Sequence, residues 1–273
     1  MKIMIVTDME GCAGILNHDD WVMPTGRHYD KGVRLLTQET NAAIAGFFDG
    51  GAAHVQVLDG HGKGGIDPEL LDERATLQRG RHPGGFMGEL DGSFAGLAFV
   101  GQHAKAGTPF SHITHTQWFN YIDLSINGIS IGEYGQCALV AMERGVPTIF
   151  AAGELALTEE ASGLTPGVVT VAVKRGLLPD GLEHLDAQQY RAAKLGAVHS
   201  SPTLTRRLIR EGAKRAAEKL KAQRGSFAYP DLKGPYIRKA RFRRDGDTGA
   251  WEAHDRHETS LTAVIEMEYT PVK

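Results

Sequence analysis

Three short apolar runs in the first hundred residues each break off into a polar, glycine-bearing loop. Met1–Val6 runs into TDMEG (Thr7–Gly11), His54–Leu58 into DGHGKGG (Asp59–Gly65), and Gly96–Val100 into GQHAKAG (Gly101–Gly107). Such runs, stopped abruptly by polar residues, predict buried strands. Between the first two, Val33, Leu36, Ala43, Ile44 and Phe47 recur at helical spacing within 30–49, and Gly50-Gly51 closes that segment. Strand, helix, strand, with the loops following the strands, predicts an α/β fold whose largely parallel sheet is flanked by helices. The prediction bears on function, because open sheets of this kind bind ligands beyond the carboxyl ends of their strands.

The rest of the chain extends the pattern. In IDLSINGISIGE, Leu124, Ile126, Ile129 and Ile131 alternate around Asn127-Gly128. Asn-Gly between alternating apolar residues predicts a hairpin, because both turn residues tolerate positive φ. A helix is expected over Tyr134–Glu143, a strand over Thr148–Ala151 entered through Pro147, and another over Val168–Val173. Ser201 and Pro202 read as N-cap and first residue of a long helix carrying Leu204, Leu208, Ile209, Ala213, Ala216 and Leu220 on one face. The tail reads as β, with strands at Ile237–Phe242 and Ser260–Tyr269. The expected organisation is an α/β catalytic domain over 1–225 and a smaller β-rich C-terminal region over 226–273, packed on the first.

The three loops share a chemistry. The first offers Asp8 and Glu10, the second Asp59 and His61, the third His103, and Glu133 follows the hairpin at a predicted helix start. Residues two apart on a continuing strand face the same way, so Asp8 and Glu10 would point into one site. Each residue also has a plain structural reading: a polar strand end, a surface turn, a hydrogen-bonded histidine, a carboxylate favoured by a helix dipole. Their convergence on one sheet edge singles them out. Neighbouring buried carboxylates cannot both ionise cheaply, and a divalent cation removes that cost. Imidazoles beside them favour zinc, with manganese or iron as alternatives, over the all-oxygen shells of magnesium and calcium. Three carboxylates and two histidines exceed one four-coordinate catalytic zinc and suit two metals sharing a bridging carboxylate. FSHITHT (Phe110–Thr116) adds His112 and His115, one of which is available as a general acid or base. Cys12 is expected to be a small buried residue, and Lys174 a solvated lysine unless it meets a substrate carboxylate.

Composition excludes other classes. The 273 residues carry 30 basic and 33 acidic side chains for a net charge of -3, which draws neither nucleic acid nor an anionic membrane. No stretch approaches the roughly 18 unbroken apolar residues of a spanning helix. Asp8 and Glu10 interrupt any signal-peptide pattern, and two cysteines fit a reducing compartment, so a cytoplasmic location is expected.

The motifs quoted above, with GQHA around His103, the pair His115-Thr116 and NGxxxGE ending at Glu133, resemble those of the zinc D-aminopeptidases of the DppA type, peptidase family M55. Val6 stands where the family's N-terminal signature has serine. The resemblance implies that Asp8, Glu10, His61, His103 and Glu133 hold two zinc ions per subunit. It implies that His115, the histidine followed by a small hydroxyl residue, is catalytic; His112 has no counterpart. It further implies an aminopeptidase acting on short peptides, D-Ala-D-Ala among them, and a homo-oligomer, a homodecamer enclosing its active sites. The match covers about residues 1–155. Beyond it, Val173-Lys174 and AVHSSP (Ala197–Pro202) resemble family segments, while 176–196 looks longer and the end lacks an expected closing helix. Two alternatives use similar features. One is a dinuclear metal phosphoesterase or amidohydrolase; the other is a non-catalytic cytosolic peptide-binding protein linked to dipeptide transport.

Overall fold

The computed structural model describes residues 1–272. In chain order its elements are β1 (Lys2–Thr7), α1 (His18–Trp21), α2 (Tyr29–Asp49), β2 (His54–Asp59), β3 (Ala75–Gln78), β4 (Gly96–Gln102), β5 (Tyr121–Ile126), β6 (Ile129–Ser130), α3 (Glu133–Glu143) and β7 (Thr148–Glu154). They continue with α4 (Leu155–Leu164), β8 (Val169–Gly176), α5 (Ala187–Ala193), β9 (Ala197–His199), α6 (Pro202–Ala222), β10 (Tyr236–Phe242), β11 (Trp251–His257) and α7 (Leu261–Glu266).

Seven strands form one sheet in the order β3-β2-β1-β4-β7-β8-β9, parallel throughout except for β9, which runs antiparallel to β8. Strand β1 explains why its sequence is apolar without alternation. Ile3 and Ile5 bury into one core with Ile44 and Phe47 of α2 and Ile209 and Ala213 of α6. Met4 and Val6 bury into the opposite core with Tyr134 and Ala138 of α3 and Leu157 of α4. A strand covered on both faces keeps apolar side chains at every position. The order reverses at β1, which leads to β2 on one side and has β4 on the other, so the carboxyl ends of β1, β2 and β4 open onto a topological switch point.

The hairpin forms as its sequence predicts. Asn127 and Gly128 take φ of 48° and 82°, the left-handed pair of a two-residue turn. Strand β10 pairs antiparallel with β5, and β11 with β10, giving a second sheet in the order β11-β10-β5-β6. That sheet draws strands from both sides of residue 225, so β10 and β11 back the hairpin leading to Glu133.

The C-terminal expectation needs correction. Residues within 260–269 form a helix rather than a strand, and the strand lies earlier, at Trp251–His257. Ser260 caps the helix by accepting from the Ala263 amide, while Leu261 and Val264 bury one turn apart. Strand β11 lacks an apolar alternation because its inward positions are Ala253 and Asp255; the latter is paired with buried Arg238 through Nε at 2.9 Å and Nη2 at 2.7 Å. A closing helix, α7, is therefore present.

Candidate metal centre

The strand geometry expected to align Asp8 and Glu10 does not persist. Strand β1 ends at Thr7, the Asp8 amide makes a last bond to the Val100 carbonyl at 3.0 Å, and the chain then turns. The turn itself brings both carboxylates to one site while Met9 buries in the core beneath. Gly11 is required by close packing. Its amide donates to the Gly101 carbonyl at 2.7 Å, and a Cβ there would stand 2.0 Å from the Gln102 carbonyl oxygen.

All six residues singled out as ligands or catalyst meet at the switch point. Asp8 divides its oxygens: Oδ1 lies 2.9 Å from His61 Nδ1, and Oδ2 lies 3.2 Å from His103 Nε2. Glu10 Oε2 flanks His61 Nδ1 at 3.3 Å, and Glu133 Oε1 flanks His103 Nε2 at 3.5 Å. His115 Nε2 stands 3.9 Å from Glu10 Oε1 and 3.8 Å from Glu133 Oε1. Its ring is stacked between those of His103 and Phe119. Asp8, Glu10, His61, His103 and His115 are all buried.

Each of these imidazoles has its remote nitrogen at a main-chain carbonyl: His103 Nδ1 at Ala104 (2.9 Å), His115 Nδ1 at Ile113 (2.8 Å) and His61 Nε2 at Val22 (3.4 Å). A proton donated there leaves the nitrogen facing the carboxylates with a free lone pair, the tautomer a metal ligand needs. Glu10 Oε2 and His103 Nε2 are sealed from solvent without a hydrogen bond. Donor atoms of Asp8, Glu10 and His103, and of His103, His115 and Glu133, form two groups compact enough to hold an ion, each within 4.8 Å. The mixed oxygen and imidazole donors fit zinc.

Electrostatics agrees. Burial opposes charge on His61 and His103, yet the surrounding carboxylates raise both well above the usual imidazole range. Burial would raise Asp8, but the hydrogen bond from His61 and the charge of His103 hold it far below the usual carboxylate range. Burial and the neighbouring His103 lower His115. Protons on His61 and His103 thus balance the carboxylates of Asp8, Glu10 and Glu133, a role a divalent cation fills better.

Other residues depart from the sequence reading. Asp59 builds the second loop instead of the centre, accepting from the amides of Gly65 (2.8 Å) and Ile66 (3.1 Å) and from Arg79. Cys12 is buried as expected. Lys174 is neither solvated nor directed at substrate. It is buried, and its ammonium donates to the Glu10 carbonyl and to His112 Nδ1, the latter at 3.0 Å. Glu154 completes this layer by accepting from the amides of Ala104 (2.8 Å) and His112 (2.6 Å). His112 is therefore structural, beneath the loop that carries Glu10.

Two residues at the centre escape the sequence reading. Gln102 donates to Asp8 Oδ2 at 3.0 Å and was signalled only by its place before His103. His18, in the short α1, has its Nε2 3.9 Å from Glu10 Oε1 and lies edge-on to Trp118 and Phe119. No periodicity marks it. Burial and the charge of His115 push its pKa down to about 3. The long segment after β8 reaches this wall: Arg191 of α5 pairs with Asp19 of α1 and lies over the Trp118 ring. The centre opens into a cleft of about 680 Å³, walled by His18, Trp118, Phe86, Met87, Lys63 and Arg81. That volume is in the range of small-ligand sites.

Known proteins resemble this chain. The family model of the D-aminopeptidases, peptidase M55, matches residues 1–268. A curated D-aminopeptidase of Bacillus subtilis (strain 168) is 36% identical over 178 residues, 64% of this chain and 64% of that relative. The aligned stretch thus spans just under two thirds of the relative's length. The solved structure of DppA from Bacillus subtilis, a Zn-dependent D-aminopeptidase and self-compartmentalizing protease, superposes with a TM-score of 0.80 at 26% identity, covering 97% of this chain and 94% of that one.

Proposed function

Because the chain belongs to peptidase family M55, the D-aminopeptidases, we propose that it is a zinc-dependent aminopeptidase. It releases the N-terminal residue of short peptides, D-amino-acid dipeptides such as D-Ala-D-Ala among them. The carrying observation is the division of Asp8 between His61 and His103, with Glu10 flanking one and Glu133 the other. Two donor sets that share the Asp8 carboxylate would hold two zinc ions, with His61 and Glu10 serving one and His103 and Glu133 the other.

Zinc, when bound, supplies positive charge that lowers the pKa of water and polarises a carbonyl. The chain's own residues do the rest. Gln102 steadies Asp8, and the Lys174 ammonium holds the Glu10 carbonyl, so both carboxylates keep their geometry. His115 has its Nδ1 proton committed to Ile113, so its Nε2 accepts a proton. It takes one from the attacking water and passes it to the leaving amine. Strands β10 and β11 buttress the hairpin that delivers Glu133, which supports reading 1–225 as the catalytic unit and the region after it as its support.

The self-compartmentalizing relative supports assembly into a closed homo-oligomer, a homodecamer, that admits only short peptides. We place the enzyme in the cytoplasm, in keeping with two free, buried cysteines; no described helix is long and apolar enough to cross a membrane.

Metal analysis followed by a screen of L- and D-aminoacyl amides and dipeptides tests this reading. Two equivalents of zinc per chain and turnover that needs a free α-amine are expected. Peptide binding without turnover, or hydrolysis of phosphate esters instead, would refute it. His115→Ala keeps the metal and loses about 10²–10⁴-fold in turnover.

A further inference from the structure

His18 differs from the other imidazoles of the centre in one respect. The remote nitrogens of His61, His103 and His115 each face a main-chain carbonyl, whereas His18 Nδ1 is sealed from solvent and hydrogen-bonds to nothing. The carboxylate oxygen Asp19 Oδ1 stands 3.8 Å away, beyond hydrogen-bond distance. A proton on Nδ1 would be a buried orphan donor, so the ring carries its proton on Nε2. His18 lines the cleft, and its Nε2 is on the side of Glu10. That nitrogen lies 3.9 Å from Glu10 Oε1, too far to be consumed by a hydrogen bond, and shares the approach to that oxygen with His115 Nε2, also at 3.9 Å. Two imidazoles of opposite tautomer therefore flank one point: His115 presents a lone pair and His18 a donor.

We infer that His18 is a second catalytic residue, whose Nε2–H donates to the carbonyl oxygen of the scissile bond as that oxygen becomes negative. The inference rests on the aminopeptidase reading above. In the step, the attacking water forms a bond to the carbonyl carbon and its proton goes to His115. The carbonyl π pair moves onto oxygen, where the His18 donor meets it. Collapse re-forms the carbonyl, breaks the C–N bond, and returns the proton from His115 to the departing amine. A donor serves this role only if it is fixed before charge develops. The rings of Trp118 and Phe119 fix His18 edge-on, at centroid distances of 5.4 and 5.0 Å, and the Asp19–Arg191 pair ties α1 to α5.

The test uses the zinc-loaded full chain, with a phosphinic dipeptide as an analogue of the tetrahedral species. His18→Ala is expected to lower kcat by about 10²–10³-fold, as the loss of an oxyanion donor does, with KM and zinc content little changed. Affinity for the phosphinic dipeptide, read by calorimetry, should fall in parallel, while affinity for the product amino acid stays within threefold. His18→Gln, whose amide N–H reaches toward the same position, should recover at least tenfold of the lost kcat. Loss of zinc in step with activity would make His18 a ligand and overturn the assignment. So would a His18→Ala enzyme with kcat and phosphinate affinity within threefold of the parent. An unmutated chain with no aminoacyl turnover would instead overturn the aminopeptidase reading itself.

Discussion

Lys174→Met isolates how the centre is held. The ammonium is buried and donates to the Glu10 carbonyl and His112 Nδ1. Hydrogen bonds from a charged donor contribute about 1.5–3 kcal/mol each, so their gross loss is about 3–6 kcal/mol. Methionine, however, carries no desolvation penalty, and in the parent that penalty is large enough to lower the Lys174 pKa despite the attraction of Glu154. Glu154 keeps its two amide donors in the variant but loses the attraction of the Lys174 charge, which offsets part of that gain. The net cost is therefore about 2 kcal/mol, a fall in Tm of about 4–8 °C for a chain of this size. The effect on the centre is larger in proportion. The Glu10 carbonyl loses its anchor, and removal of such an outer support typically weakens metal affinity about 10–100-fold. Calorimetric unfolding and zinc competition against a chromophoric chelator read the two quantities separately. Zinc affinity within twofold of the parent would refute the claim that Lys174 positions Glu10.

Three further outcomes follow from buried charge. His61 and His103 are raised by the carboxylates around them and hold protons near neutrality in the metal-free centre. Zinc binding should therefore release about two protons and weaken as pH falls, and calorimetry in buffers of different ionisation enthalpy measures the release. Burial raises Glu39 from 4.5 to about 7, against the pull of the Ala13 amide. A carboxyl whose folded pKa is raised loses its contribution to stability as pH climbs through that window. Glu39→Gln should thus be neutral near pH 4 and stabilising by about 3 kcal/mol at pH 8, as read by denaturant titration. Asp255→Ala strands buried Arg238 and should cost about 3–5 kcal/mol in the same assay without altering zinc affinity.

Much of the fold was legible because its signals are local. The doubly buried strand β1, the Asn127-Gly128 turn and the Ser201-Pro202 helix start each follow from side chains close in sequence, and local sterics and hydrogen bonding decide them. Strand β11 and helix α7 were misread for the converse reason. The inward Asp255 is tolerable only because Arg238, from another strand, neutralises it, and the two apolar anchors of α7 are too few to reveal a helical period.

The same division holds at the centre. The sequence alone determined which residue types stand at the carboxyl ends of β1, β2 and β4, and hence that carboxylates and imidazoles collect at one edge of a parallel sheet. The spacing of Asp8 and Glu10 suggested their convergence, although by a strand geometry that the chain abandons at Thr7. Only the tertiary structure decided how each donor is aimed. Hydrogen bonds to the Ala104, Ile113 and Val22 carbonyls select the tautomers, and a lysine from β8 holds the Glu10 carbonyl. His18 arrives from a four-residue helix with its inner nitrogen unpartnered. Residue type is a local property, but tautomer, orientation and desolvation depend on atoms distant in sequence, which only folding brings within a few ångströms.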